Sequence, residues 1–146
     1  MSQFAAEAPA SKTPWHLWVV GILSLLWNAA GAYVIITAQQ GRLEGVSEAE
    51  AAYYAAQAPW FVAVTDISLF SAIAGALALL IKNRFAVPLF AISLVSIVVT
   101  NAYDLIMGTS QMFNNIGTII TTCLIWVLAV LQLWYAASMR ARGVLR

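Results

Sequence analysis

Four apolar stretches, each close to the 20 or so residues a helix needs to cross the hydrocarbon core of a bilayer, take up most of this 146-residue chain. They cover about 16–37, 59–81, 85–107 and 115–138. A helix satisfies its backbone hydrogen bonds within itself, as lipid demands of any segment it surrounds. Runs such as Ala74-Gly75-Ala76-Leu77-Ala78-Leu79-Leu80-Ile81 show no alternation of polar and apolar residues, which excludes the strands of a transmembrane barrel. The sequence therefore predicts an all-α integral membrane protein, a four-helix transmembrane bundle whose main partner is the lipid bilayer.

Composition agrees, because 62% of the residues are hydrophobic and 9% are charged, whereas soluble domains carry about a quarter charged residues. The formal charge of +1, without a basic stripe to neutralise phosphates, speaks against nucleic acid as a partner. Cys123 is the single cysteine, so neither an internal disulfide nor a multi-cysteine metal site is expected.

Residues 1–14 read as a small, polar N-terminal tail, disordered over 1–13, in which Thr13 and Pro14 offer an N-cap and a first helical proline. The transmembrane domain follows over 15–138, and 139–146 form a basic C-terminal tail. Lys12, the apolar Leu17 to Trp27 and Ala30-Gly31-Ala32 imitate a cleavable signal peptide, but the apolar run continues through Tyr33-Val34-Ile35-Ile36. Retention of the first span is the expectation.

Basic residues in short flanks set orientation. Lys12, the pair Lys82 and Arg84, and the trio Arg140, Arg142 and Arg146 place both termini and the second loop in the cytoplasm. Residues 38–58, with Arg42 against Glu44, Glu48 and Glu50, and the uncharged loop Gly108 to Asn114 would then lie outside. Trp15, Trp18, Trp60 and Trp134 fall near span ends, as interfacial anchors do. In the outer loop, Ser47-Glu48-Ala49-Glu50 has the form of a capping box opening a short helix to about Gln57. Its Tyr53 and Tyr54 either cover the outer mouth of the bundle or lie among the headgroups.

Two carboxylates, Asp66 and Asp104, fall within spans, where an ionisable group is costly and faces protein or a water-filled cavity. At about 1.5 Å per residue, Asp66 lies roughly 10 Å from the outer start of its helix, and Asn101 lies at similar depth. Asp104 is shallower, Asn28 lies near the midplane, and Thr118, Thr121 and Thr122 enter from the outer end of the fourth span. Thr100, Asn101 and Asp104 share one helix face through i+3 and i+4 spacing. One arrangement is an outward-facing pocket in which Asp66, Asn101, Asn28, Asp104 and Thr121 contact a small polar solute, with Trp27, Tyr103 or Trp126 as flat walls. The other is structural, with the same groups serving as hydrogen bonds between helices. Ser68, Ser71, Ala72, Gly75 and Ala76 form a small-residue seam that admits a neighbouring helix, and Gly31 with Asn28 and Ser24 offers a second.

His16, the only histidine, has no second imidazole for a haem or zinc site, and no activated nucleophile accompanies the carboxylates. No enzyme activity, metal or cofactor is expected.

From about Trp15 to Trp134, the motifs Trp27-Asn28-Ala29-Ala30-Gly31-Ala32-Tyr33, Pro59-Trp60-Phe61 and the basic turn before Ala86-Val87-Pro88 carry a resemblance. The chain resembles a group of small four-span bacterial inner-membrane proteins without an assigned function, some labelled "sugar transporter". In architecture it is more distantly similar to DoxX-like four-helix membrane proteins. The resemblance implies an inner-membrane location and a sugar as one candidate solute, and it transfers no binding residues. The leading expectation is a multi-pass protein that binds or translocates a small polar solute. The alternative is a non-catalytic accessory or assembly subunit of a membrane complex. Four spans leave little room for an enclosed pathway, so a homo-oligomer or a subunit of a larger complex is expected.

Overall fold

A computed structural model of the protein describes residues 12–109 and 115–146. Its helices are α1 (His16–Gln39), α2 (Glu48–Ala55), α3 (Pro59–Leu80), α4 (Ala86–Met107) and α5 (Ile116–Ala141). All but α2 are long and apolar enough to cross a membrane. Most of the tail expected over 1–13, and most of the loop Gly108 to Asn114, lie outside the described residues.

Helix boundaries follow local chemistry. Pro59 opens α3 at a position whose N–H would have no partner in any case. Gly108, at φ 72°, ends α4 in the left-handed conformation that glycine tolerates best. Asn115 caps α5 by accepting the Thr118 N–H at 2.9 Å. The expected cap at Thr13 is not used. Trp15 takes the cap position of α1 with no side-chain bond, because i→i−3 bonds from Leu17 to Pro14 (3.1 Å) and from Trp18 to Trp15 (3.2 Å) already satisfy the first free N–H groups.

The α2 capping box forms as its spacing predicts. Ser47 Oγ accepts the Glu50 N–H at 3.2 Å, and Glu50 Oε2 accepts the Ser47 N–H at 2.8 Å. The bond from the Ser47 N–H, with a second one donated by the Ser47 hydroxyl at 2.8 Å, holds the Glu50 carboxyl below the usual glutamate range. An eight-residue helix has little cooperative stability of its own. Ser47→Ala is therefore expected to remove about 1 kcal/mol of local stability, seen as faster amide exchange over Glu48–Ala55 with exchange in α3 and α4 unchanged.

α3 is the centre of the bundle, packed on α4 along one side and on α1 along another. Its seam of Ser68, Ser71, Ala72, Gly75 and Ala76 is buried. Ser68 Oγ donates to the Ser93 carbonyl at 3.1 Å, and a Cβ on Gly75 would stand only 3.0 Å from the Phe90 ring. On α1 the close approach occurs at Gly21, where a Cβ would fall 2.5 Å from Leu80 Cδ2, and not at Gly31, which has no neighbour within 4 Å. α1 meets α3 in its first turns because that is where small and large side chains interlock.

The largest buried side chains gather at one end of the bundle. Leu17, Leu79, Phe90 and Met139 are its largest fully buried side chains, joined by Val144 and Leu145 beyond α5. This is the end that carries Lys82, Arg84 and Arg140. α5 buries only Gln132, Ala136 and Met139, all in its last ten residues, where His16 Nδ1 meets the Tyr135 hydroxyl at 2.5 Å. Large apolar side chains such as Leu26, Phe70, Val95 and Leu131 face outward, as they do where lipid replaces water.

Candidate functional site

At the opposite end, the short helix folds back over the bundle. Pro59 follows α2 closely enough to turn its tyrosines toward the end of α4. The Tyr53 hydroxyl donates to both oxygens of Asp104, at 3.0 and 3.1 Å, across 51 positions of sequence. Thr109 Oγ1 donates to Asp104 Oδ1 at 2.7 Å and to the Asp104 carbonyl at 3.1 Å. Asp104 thus has two hydroxyl partners. Arg42, the basic residue of the preceding loop, instead bonds Gln40 at 2.9 Å. The carboxylate lies in the last turn of α4, where the helix dipole already presents partial negative charge.

Beside this carboxylate is an open cavity of about 280 Å³, lined by Tyr53, Gln57, Phe61, Tyr103, Asp104 and Thr109 among others. Small-molecule sites usually begin at about 300 Å³, so the space suits one small molecule. Its apolar wall is an aromatic cluster. The Tyr103 ring packs edge-on against Trp60 with centroids 4.8 Å apart and leans on Phe61 at 5.5 Å, geometries that ring quadrupoles favour. Gln57 lines the same cavity, and its Oε1 is buried with no hydrogen-bond partner. An unpaired buried acceptor costs about 1–3 kcal/mol, which a bound donor would recover.

Burial lifts the Tyr53 hydroxyl far above the ordinary tyrosine range; the negative charge of Asp104 adds to this, and a side-chain hydrogen bond from Gln57 opposes it. Tyr54 is raised too, chiefly by burial, with Glu50 and Asp104 contributing. Both hydroxyls stay protonated donors at neutral pH. The folded state holds these protons more tightly than the unfolded chain, so their stabilisation is complete below pH 10.0, the ordinary tyrosine value, and is lost as pH rises through the raised folded values. Tyr53 and Tyr54 are therefore expected in a late wave of phenolate absorbance that coincides with loss of α2 amide protection. Tyr53→Phe should shrink that wave; persistence at full amplitude would contradict the contact.

Of the residues singled out in the sequence, Asp104 and Tyr103 line this cavity. The others occupy different surroundings. Asn28 Nδ2 donates to the Ser24 carbonyl at 2.7 Å and to Gln132 Oε1 at 3.4 Å, tying α1 to α5. Asn101 Nδ2 donates to the Ile97 carbonyl of its own helix at 2.9 Å. Trp27 and Thr121 are exposed on α1 and α5. Asp66 is partly buried, and its Oδ1 is fully covered with no hydrogen-bond partner. Gln57, Phe61 and Thr109 complete the cavity without having been singled out as site residues. The capping box fixes where α2 starts and Pro59 where it must end, and together they bring Gln57 to the mouth of the bundle.

Comparison with protein-family models, curated proteins and solved structures finds no match to the chain.

Proposed function

We propose that this multi-pass membrane protein binds a small polar solute rich in hydrogen-bond donors, as a sugar is, in the cavity beneath α2. The observation that carries the reading is the pairing of the Asp104 carboxylate with the unpartnered Gln57 Oε1 on one small cavity. Two acceptors beside the flat faces of Phe61 and Tyr103 match a ring that presents hydroxyls at its rim and C–H groups on its face. Asp66, roughly 7.5 Å further along α3 than Phe61 at 1.5 Å per residue, is a third acceptor that a moving solute would meet. The α2 end faces outward from a bacterial inner membrane, because the cationic flanks lie at the other end. Passage would use an interface between copies of the chain, since α5 leaves its first sixteen residues without a buried one.

A second reading, a non-catalytic assembly subunit, draws support from Asn28, whose amide reaches from α1 to Gln132 of α5. One experiment separates the two. Protein in lipid nanodiscs is screened for thermal stabilisation by sugars, polyols, amino acids and quaternary ammonium ions. The solute reading expects stabilisation by a hydroxyl-rich solute that disappears in Gln57→Leu, which retains the helix and removes the acceptor. Failure of all classes, together with stable partner proteins that copurify, would favour the assembly reading. Stabilisation by quaternary ammonium alone would overturn the assignment to a hydroxyl-rich solute.

A further inference from the structure

The other end of the bundle holds a second cavity, open and of about 430 Å³, lined by Thr13, Ile81, Lys82, Asn83 and Arg146 among others. We propose that it binds the phosphate group of an anionic phospholipid, a role independent of the solute site.

The backbone brings its two cations together. Arg146 donates its N–H to the Lys82 carbonyl at 2.9 Å and accepts the Arg84 N–H at 3.0 Å. The segment leading to it turns at Gly143, φ 70°, and is anchored by the buried Val144 and Leu145. Arg146 is thereby fixed against the turn between α3 and α4, rather than left on a loose tail. Lys82 has φ 58°, in the left-handed position after a helix where glycine or asparagine is easier to accommodate. Its ammonium reaches across to Thr13 Oγ1 at 3.4 Å. A lysine kept at a glycine-favouring position, with its ammonium on the cavity, is a strained arrangement of the kind found at binding sites.

Charge and depth point to the ligand. Among the described residues the acidic side chains are Glu44, Glu48, Glu50, Asp66 and Asp104, and all belong to α2, its preceding loop or the halves of α3 and α4 at the α2 end. Among the described residues, the cations of the cavity therefore have no acidic side chain at their own end. Around them Trp15, Ile81 and Phe85 are 76%, 71% and 59% exposed, an aromatic and apolar rim suited to the membrane interface. A phosphate beside Lys82 and Arg146, with acyl chains running down past Ile81, would satisfy both chemistries.

The test uses full-length protein in neutral detergent, titrated separately with phosphatidylglycerol, phosphatidylcholine and inorganic phosphate, with bound molecules counted by native mass spectrometry. Phosphatidylglycerol is expected to bind in preference to phosphatidylcholine. Lys82→Asn, which suits the left-handed backbone, and Arg146→Gln, which leaves the backbone bonds in place, should each weaken it at least tenfold. Lys82→Arg should retain it. Arg140→Gln and Arg142→Gln remove the same charge outside the cavity and should cost no more than about fivefold, the worth of one cation near a membrane surface. Equal losses in all four neutralising variants would mean diffuse attraction and overturn the site. Saturation by inorganic phosphate at the concentrations where the lipid binds would overturn the assignment to a lipid.

Discussion

Asp104→Ala is expected to release α2 from the bundle and to abolish solute binding together. The carboxylate accepts from Tyr53 and Thr109, and a hydrogen bond to a charged group contributes about 1.5–3 kcal/mol. Asp104 is only partly buried, so solvent screening argues for the lower end of that range, about 2 kcal/mol for the α2 contact. Since 1.4 kcal/mol is a factor of ten, amide exchange over Glu48–Ala55 should accelerate roughly 30-fold. Tyr53→Phe should reproduce the acceleration, because it removes the donor from the same contact. Asp66→Asn should leave exchange in α2 unchanged, since Asp66 belongs to the body of α3. If α2 stays fully protected in Asp104→Ala, the lid is held by its contacts with α1 and the carboxylate is free for another role. Solute binding should fall with the lid in both α2-releasing variants, but in Gln57→Leu it should fall while α2 stays protected. That contrast distinguishes an acceptor of the solute from a residue that only builds the cavity.

Local rules were enough to read the helices. Apolar length gave the four long helices within a few residues, and the pattern Ser47-Glu48-Ala49-Glu50 gave the start of the short one, because each signal depends on neighbours in sequence. The cavity was only partly legible for the complementary reason. Tyr53 and Asp104 meet across 51 positions, and no periodicity records which face of α2 turns toward α4. Depth alone grouped Asn28, Asn101 and Asp66 with Asp104, yet side chains at one depth can point to different sides of a bundle. Asn101 illustrates this: its amide is taken up by the Ile97 carbonyl one turn earlier, an option open to any short polar side chain in a helix. The closure of the basic end was equally hidden. Val144, Leu145 and Arg146 read as the end of a charged tail, and only the packing shows two of them buried and the third paired with the turn at Lys82. Gly31 and Gly21 make the same point for packing, since both are small residues in one helix and only Gly21 has a neighbour close enough to need its smallness.

The largest loss of stability should come from Gly75→Val, which strikes where the two central helices come closest. In lipid, helices gain little from burying apolar surface against one another, and close van der Waals packing at small residues holds them instead. A Cβ at position 75 would already sit 3.0–3.2 Å from three atoms of the Phe90 ring, and the branched methyls of valine extend further into a ring that is 2% exposed. Phe90 is nearly fully buried, so the added methyls should drive α3 and α4 apart, stretching the Ser68 bond to the Ser93 carbonyl. Overpacking of this kind costs about 1–3 kcal/mol, and Gly75→Val should lie at the upper end. Gly75→Ala asks only for a shift of a few tenths of an ångström and should cost less. Denaturation in mixed detergent micelles measures both. The decisive arm is the double variant Gly75→Ala with Phe90→Leu: the smaller side chain removes the ring that the new methyl meets, so the two changes together should cost less than the sum of their separate effects. Simple additivity would show that Phe90 is not what makes glycine necessary at position 75.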